Sequence, residues 1–255
     1  MSRVKCGSCG KPLAAPDRGR PRQYCSRACQ AKAYRARKAE SEENRGHLTV
    51  DRIVRAGIAV ADAEGLEALS MRRVAAELGA GTMALYRHVA AKDDLVALMV
   101  EAALTEIPLP ETPPRDWRDG LERAAFRDWD LYHRHPWILA KVLVTTRTHD
   151  SPALSAGSEH AFASFDGLDL DPADAFRYMF LFASYVQGVA LTYVSDVEAE
   201  RRGAPAHHPS FAAYPRLGSA MRSMAEPWDL DELFASGLSG VLDGIAADLA
   251  RQGIL

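Results

Sequence analysis

Apolar positions recur at three- and four-residue spacing along most of this chain, and no stretch alternates strictly between apolar and polar. That pattern predicts an all-α protein outside its first 30 or so residues. Behind Thr49, a residue suited to cap a helix, Val50, Ile53, Val54, Gly57, Ile58 and Ala61 share one face, and Gly65 supplies the stop. Ser70 can cap a second helix carrying Met71, Val74, Ala75 and Leu78, which Gly79 ends. Leu85, Tyr86 and Val89 belong to a third, and a fourth from about Lys92 to Glu106 turns Leu95, Leu98, Met99 and Ala102 to one side. The run Pro108 to Pro114 breaks any helix, and later breaks fall at His135-Pro136, Ser151-Pro152, Asp171-Pro172, Ala204-Pro205 and Glu226-Pro227.

Two late helices are the most apolar. One holds Tyr178, Phe182, Tyr185, Val189 and Thr192/Tyr193; the other holds Phe234, Leu238, Val241, Leu242, Ile245 and Leu249, with Gly237, Gly240 and Gly244 leaving room for another backbone. They fit equally the core of one chain or a two-helix contribution to a four-helix bundle between two copies. The pattern divides the chain into a cysteine-rich module (1–46), a three-helix unit of helix-turn-helix type (47–107) and a helical C-terminal domain (115–255). No apolar run approaches the roughly 20 residues that span a bilayer, and the start lacks an export signal, so a cytoplasmic protein is expected.

Charge sharpens this division. The first 46 residues hold 12 basic against 4 acidic side chains, whereas residues 106–255 hold 13 against 22, within a total of -3. A polyanion partner therefore suits only the N-terminal end. All four cysteines lie there, as Cys6-Gly-Ser-Cys9 and Cys25-Ser-Arg-Ala-Cys29. Two such pairs can close four thiolates into the tetrahedron that Zn2+ accepts; disulfides, redox sensing and an iron-sulfur cluster are the competing uses. Arg18, Arg20, Arg22, Arg27, Lys32, Arg35, Arg37 and Lys38 surround this site, with Tyr24 and Tyr34 between them, and a basic helix is expected from near Ser26. The stretch Arg35 to Arg45 reads as its continuation into a polar linker. The segment resembles small treble-clef or ribbon-like zinc modules found beside DNA-binding domains.

A reading helix needs a small or polar outward face, phosphate donors around it and an apolar inner face that sets its angle. Gly81, Thr82, Met83 and Ala84 are slender enough for close approach, Tyr86, Arg87 and His88 follow, Arg72 and Arg73 precede, and Lys92 opens the next helix. The sequence Ser70, Val74 to Gly79, Leu85 to Val89 and Lys92 resembles the DNA-binding domain of the TetR family of transcriptional repressors, without gaps from Leu69 to Leu95. His88-Val-Ala-Ala-Lys92 and His135-Pro136-Trp137 are most similar to its tetracycline-repressor-like branch. The resemblance implies a homodimer, paired through the C-terminal helices, that represses from a palindromic operator and releases it when a small molecule enters the C-terminal domain. It places Thr82 and Met83 at base contacts, Arg72 at base or phosphate, and Tyr86, His88 and Lys92 at phosphate, with Thr49, Ser70 and Arg87 completing the DNA-facing set. Ala84 departs from the family's frequent hydroxyl, so the operator sequence does not carry over.

For the effector, Phe126, Trp129, His133, Trp137, Phe180, Tyr185 and Gln187 are the candidate contacts, an aromatic set with a few polar tips, though such stripes also build cores. His133 and His135 flank a proline break without a second metal-binding pair and read as ordinary loop and helix-end histidines, and His207 and His208 read as loop residues. No nucleophile elbow, phosphate-cradling loop or H-E-x-x-H helix is present, so no enzyme is expected. The rival reading is a regulator whose cysteine module answers to a partner protein or an oxidant.

Overall fold

The computed structural model describes residues 5–13, 23–35, 48–143, 151–203, 213–223 and 229–255. Arg18, Arg20, Arg22, Arg37, Lys38, the stretch from 36 to 45, His207, His208 and the breaks at Pro205 and Pro227 lie outside these residues. The described chain is helical apart from a single antiparallel bridge between Lys5 and Pro12.

After a short helix over residues 27–35 (α1), α2 (Val50–Glu64), α3 (Met71–Glu77), α4 (Thr82–Leu85) and α5 (Lys92–Glu106) form the first helical unit. Thr49 and Ser70 cap α2 and α3 through hydroxyl oxygens that accept from the amides of Arg52 and Arg73. At the end of α3, Gly79 takes φ +60°, and the amides of Gly79 and Ala80 return to the carbonyls of Ala76 and Ala75. This closure frees the chain to turn at once into α4. Ile53, Val74, Leu85, Leu95 and Met99 fill the core between them. Leu98, read as part of the inner side of α5, instead faces outward at 39% exposure. Gly57 lets α2 and α5 approach so closely that an added Cβ would press on Met99.

The second unit comprises α6 (Trp117–Arg134), a 3₁₀ turn leading into α7 (Leu139–Val142), α8 (Pro152–Phe162), α9 (Pro172–Arg201), α10 (Pro215–Ser223) and α11 (Leu230–Arg251). Pro152 and Pro172 occupy the first turns of α8 and α9, where a missing N–H costs nothing. Phe182, Val186, Phe234, Leu238, Leu242 and Ile245 pack α9 against α11. Gly237 makes room for a tyrosine ring rather than a backbone, since an added Cβ would overlap the ring and hydroxyl of Tyr185. By length and composition α11 could cross a membrane. Its apolar stripe is nevertheless the core of this unit, and Asp231, Glu232 and Asp243 lie on its exposed side.

The two units meet at a buried histidine. His135, which reads from sequence as an ordinary helix-end residue, is 6% exposed, with Nδ1 2.8 Å from Asp62 of α2 and Nε2 3.0 Å from Glu106 of α5. Trp137 Nε1 donates to the same Asp62 carboxylate at 2.7 Å, and Arg201 of α9 donates to the Asp62 carbonyl at 2.9 Å. The hydrogen bond with Asp62 raises the His135 pKa above its ordinary value, assisted by Glu106 and opposed by burial. Because the folded-state pKa is raised, this clamp stabilises the protein fully below the unfolded-state value and fades as pH rises through the folded one. His135→Phe is expected to lower the melting temperature at pH 6, and the gap to the native chain should narrow by pH 9; a gap that stays constant across this range would remove the charge from the explanation.

Candidate DNA interface and effector cavity

α4 and the turn after it present two unlike faces. Ala84, Leu85 and Val89 point inward and are at most 6% exposed, which fixes the helix on the α2–α5 core. Ala84 therefore lies beneath the reading surface, contrary to the expectation that it would approach a groove. Outward stand Met83 at 76% exposure and Tyr86 at 44%, with Arg87 and His88 exposed and Thr82 half-buried. Lys92 is exposed at the first position of α5, where a cation opposes the helix dipole; Asp93 and Asp94 supply the favourable sign. The helix thus gains nothing from Lys92, and a phosphate beside it would.

The two arginines of α3 separate sharply. Arg73 is held between Glu64 of α2 at 2.6 Å and Glu77 at 2.8 Å, and its hydrogen bond keeps the Glu64 carboxyl below the usual range. Arg72 is exposed and makes no ion pair among the described residues. Arg72 is thus the cation left over for an outside partner.

At the other end of α5, a cavity of about 460 Å³ opens between α5, α6, α7, α8 and α9. Leu104, Leu131, Val142, Leu143, Met179 and Phe182 supply apolar wall, and Arg127, Asp128, Tyr132 and Gln187 supply polar groups. Gln187 donates to the Val142 carbonyl at 3.2 Å. Of the seven effector candidates, Gln187 alone lines this space. Phe126, Trp129 and Tyr185 gather instead around Phe234 on another face of α6, with Trp129 stacked on Phe234 at 4.3 Å and donating to Asp231 at 2.7 Å. His133 stacks on Tyr193 at 4.1 Å in the same cluster. Trp137 is committed to Asp62, and Phe180 stands 49% exposed on the outer side of α9.

The residues that sequence reasoning passed over are Arg127 and Asp128. Arg127 Nε donates to the Ile107 carbonyl at 3.1 Å and Nη2 to the Leu104 carbonyl at 2.9 Å, so α6 grips the last turn of α5 by its backbone. Its remaining Nη1 lies 3.3 Å from Asp128 Oδ1. Burial pushes the Asp128 carboxyl up to about 6 against the opposing pull of Arg127. Tyr132, buried beside it, is raised too, by burial and then by the Asp128 charge. A charged pair inside an otherwise inward-facing helical register was the available signal.

In the N-terminal module the Sγ atoms of Cys6, Cys9, Cys25 and Cys29 all lie within 4.8 Å of one another. Cys9–Cys25 and Cys25–Cys29 are separated by 3.5 and 3.4 Å. Those distances are far beyond a disulfide bond and near the ~3.8 Å edge that four sulfurs at ~2.3 Å from one zinc would form. The Cys6 carbonyl accepts from Gly10, whose φ of +70° closes the first turn, and Ser26 caps α1 by accepting from the Cys29 amide. Backbone amides of Ser8 and Cys25 lower the Cys6 thiol to about 6, while its neighbours Cys29 and Cys9 push Cys25 up to about 12. The four cysteines are placed to hold a metal ion.

This geometry defines a helix-turn-helix protein carrying a helical sensor-like domain. The comparisons agree: the model for "Bacterial regulatory proteins, tetR family" matches residues 53–99, and that for "Tetracyclin repressor-like, C-terminal domain" matches 109–249. The HTH-type transcriptional repressor DrrR1 of Streptomyces coeruleorubidus is 35% identical over 223 residues, covering 80% of each chain. The tetracycline repressor protein class C of Escherichia coli is 30% identical over 205 residues, covering 78% of this chain and 90% of its own. Among solved structures, ActR of Streptomyces coelicolor in complex with (S)-DNPA superposes with a TM-score of 0.61 at 30% identity, covering 79% of this chain and 98% of that one. The chain belongs to the TetR family: it is a ligand-responsive, DNA-binding transcriptional repressor and not an enzyme.

Asp128→Asn is expected to raise thermal stability at pH 7.5. The raised carboxyl costs stability above about 6, and this cost vanishes as protonation completes toward pH 4. Melting curves in which the gain persists undiminished at pH 4 would contradict burial as its cause.

Proposed function

We propose that two copies of this chain read a palindromic operator through Thr82, Met83, Tyr86, Arg87 and His88, with Arg72 and Lys92 on flanking phosphate and the capping hydroxyls of Thr49 and Ser70 beside them. The observation that carries this reading is the two-faced α4, whose apolar side is locked into a core while its polar and slender side is open. Two reading helices per dimer would enter successive major grooves about 34–36 Å apart. The copies pair through α9 and α11. Phe180, Leu181 and Leu191 stand exposed on α9, and nothing among the described residues lies within 4 Å of where a Cβ would sit at Gly188, Gly240 or Gly244. Covering this side would bury apolar area and bring helices into the close contact that small residues permit.

An effector entering the 460 Å³ cavity is read out through α5, because Arg127 on the cavity wall holds the Leu104 and Ile107 carbonyls. A ligand preferring the arrangement in which that grip shifts moves the reading helices out of register and releases DNA. The relatives ActR with (S)-DNPA and ActR with actinorhodin are precedents for small-molecule binding in this fold.

The cysteine module holds one structural zinc ion, and the intact protein works in the cytoplasm. Its basic helix α1, with Arg27, Lys32 and Arg35, lies along phosphate and adds salt-sensitive affinity. Elemental analysis of the purified chain should find one zinc per copy, and Cys25→Ser with Cys29→Ser should remove it; metal-free protein with four titratable thiols would favour a redox sensor instead.

Lys92→Ala should weaken binding to every sequence and reduce the slope of log affinity against log salt by about one, whereas changes at Thr82 or Met83 should alter base preference. A salt titration by gel shift with an unchanged slope would take Lys92 off the phosphate.

A further inference from the structure

We propose that the cavity selects an organic cation, an apolar body carrying a protonated amine whose N–H groups are taken by Asp128. This rests on the cavity being the effector site, and deepens that reading by naming the class of molecule.

The wall is mainly aliphatic and aromatic, so it suits an apolar body. Into this space opens one carboxylate that its surroundings leave under-satisfied. Asp128 keeps 35% of its side-chain surface although it sits among α6, α8 and α9, because that surface belongs to the cavity. Among the described residues its sole ion-pair partner is Arg127, reached through one 3.3 Å contact to Oδ1, and Oδ2 accepts from nothing. Arg127 cannot turn to grip both oxygens, since its Nε and Nη2 are engaged by the Ile107 and Leu104 carbonyls.

A half-buried carboxylate with a single long contact turns its open side to the cavity, where a cation that brings its own N–H groups can pair with it. Glu159 on α8 adds a second acid to the lining. An anionic ligand would meet both acids, beside the His160 imidazole and a guanidinium already bound to main-chain carbonyls, and a neutral ligand would leave Asp128 with Arg127 as its one charged partner. Tyr132 and Gln187, which line the same space, offer further sites for orientation but no charge.

The test uses three probes that share a 2-(2-naphthyl)ethyl body on the full-length protein: 2-(2-naphthyl)ethylammonium, 2-(2-naphthyl)ethanol and 3-(2-naphthyl)propanoate. Calorimetric titration at pH 7.5 should give the cation at least tenfold tighter binding than the alcohol, and the carboxylate the weakest. Asp128→Asn should erase the difference between cation and alcohol while keeping alcohol binding, which also shows that the variant is folded. Glu159→Gln should preserve most of the preference. Equal binding of cation and alcohol, absence of cation binding, a preference that survives Asp128→Asn, or one lost instead in Glu159→Gln would overturn the proposal. Operator release is scored separately by gel shift: Asp128-dependent cation binding that leaves the DNA complex intact would sink the effector reading and uphold the selectivity, whereas release by the alcohol through an Asp128-indifferent site would do the reverse.

Discussion

The last turn of α5 is where this protein is held together. A helix ends with carbonyls that have no partner within it, and buried ends must find donors elsewhere. Here Arg127 of α6 provides them for Leu104 and Ile107, Glu106 takes up His135, and one turn earlier Glu101 accepts from the Ala153 amide at the start of α8. The opposite half of the same helix, through Leu95 and Met99, is core to the unit that carries α4. α5 consequently has one end in the core beneath α4 and the other in the cavity wall.

α6 divides its duties by face. On one side Trp129 and Phe126 stack on Phe234 of α11 and bind the C-terminal helices into a block. On the other, Arg127 and Asp128 border an open space. The packed side supplies the stability that the polar side spends, since an acid in such surroundings has its charged form penalised by burial.

Much of this was legible in the sequence. Helical spacing, caps at Thr49 and Ser70, the stop at Gly79 and the breaks before Pro136, Pro152 and Pro172 locate the elements because each is a local signal with a local cause. The outward face of α4 followed from the same periodicity, except at Ala84, whose small side chain fits equally a groove or a crowded core. The cavity was not legible in the same way. Large aromatics draw attention as ligand contacts, yet their area makes them the natural fillers between α6, α9 and α11, and the void forms where smaller groups such as Ala124, Gly157 and Ala183 face one another. His135 was singled out but not as a clamp between the units, because its carboxylate partners lie 73 and 29 residues away.

Arg127 recognises α5 by main-chain oxygen alone. No particular side chain at 104 or 107 is required to keep that hold, only a helix that stops in the right place. This one link therefore tolerates substitution along α5 that the His135 clamp, tied to the side chains of Asp62 and Glu106, would not.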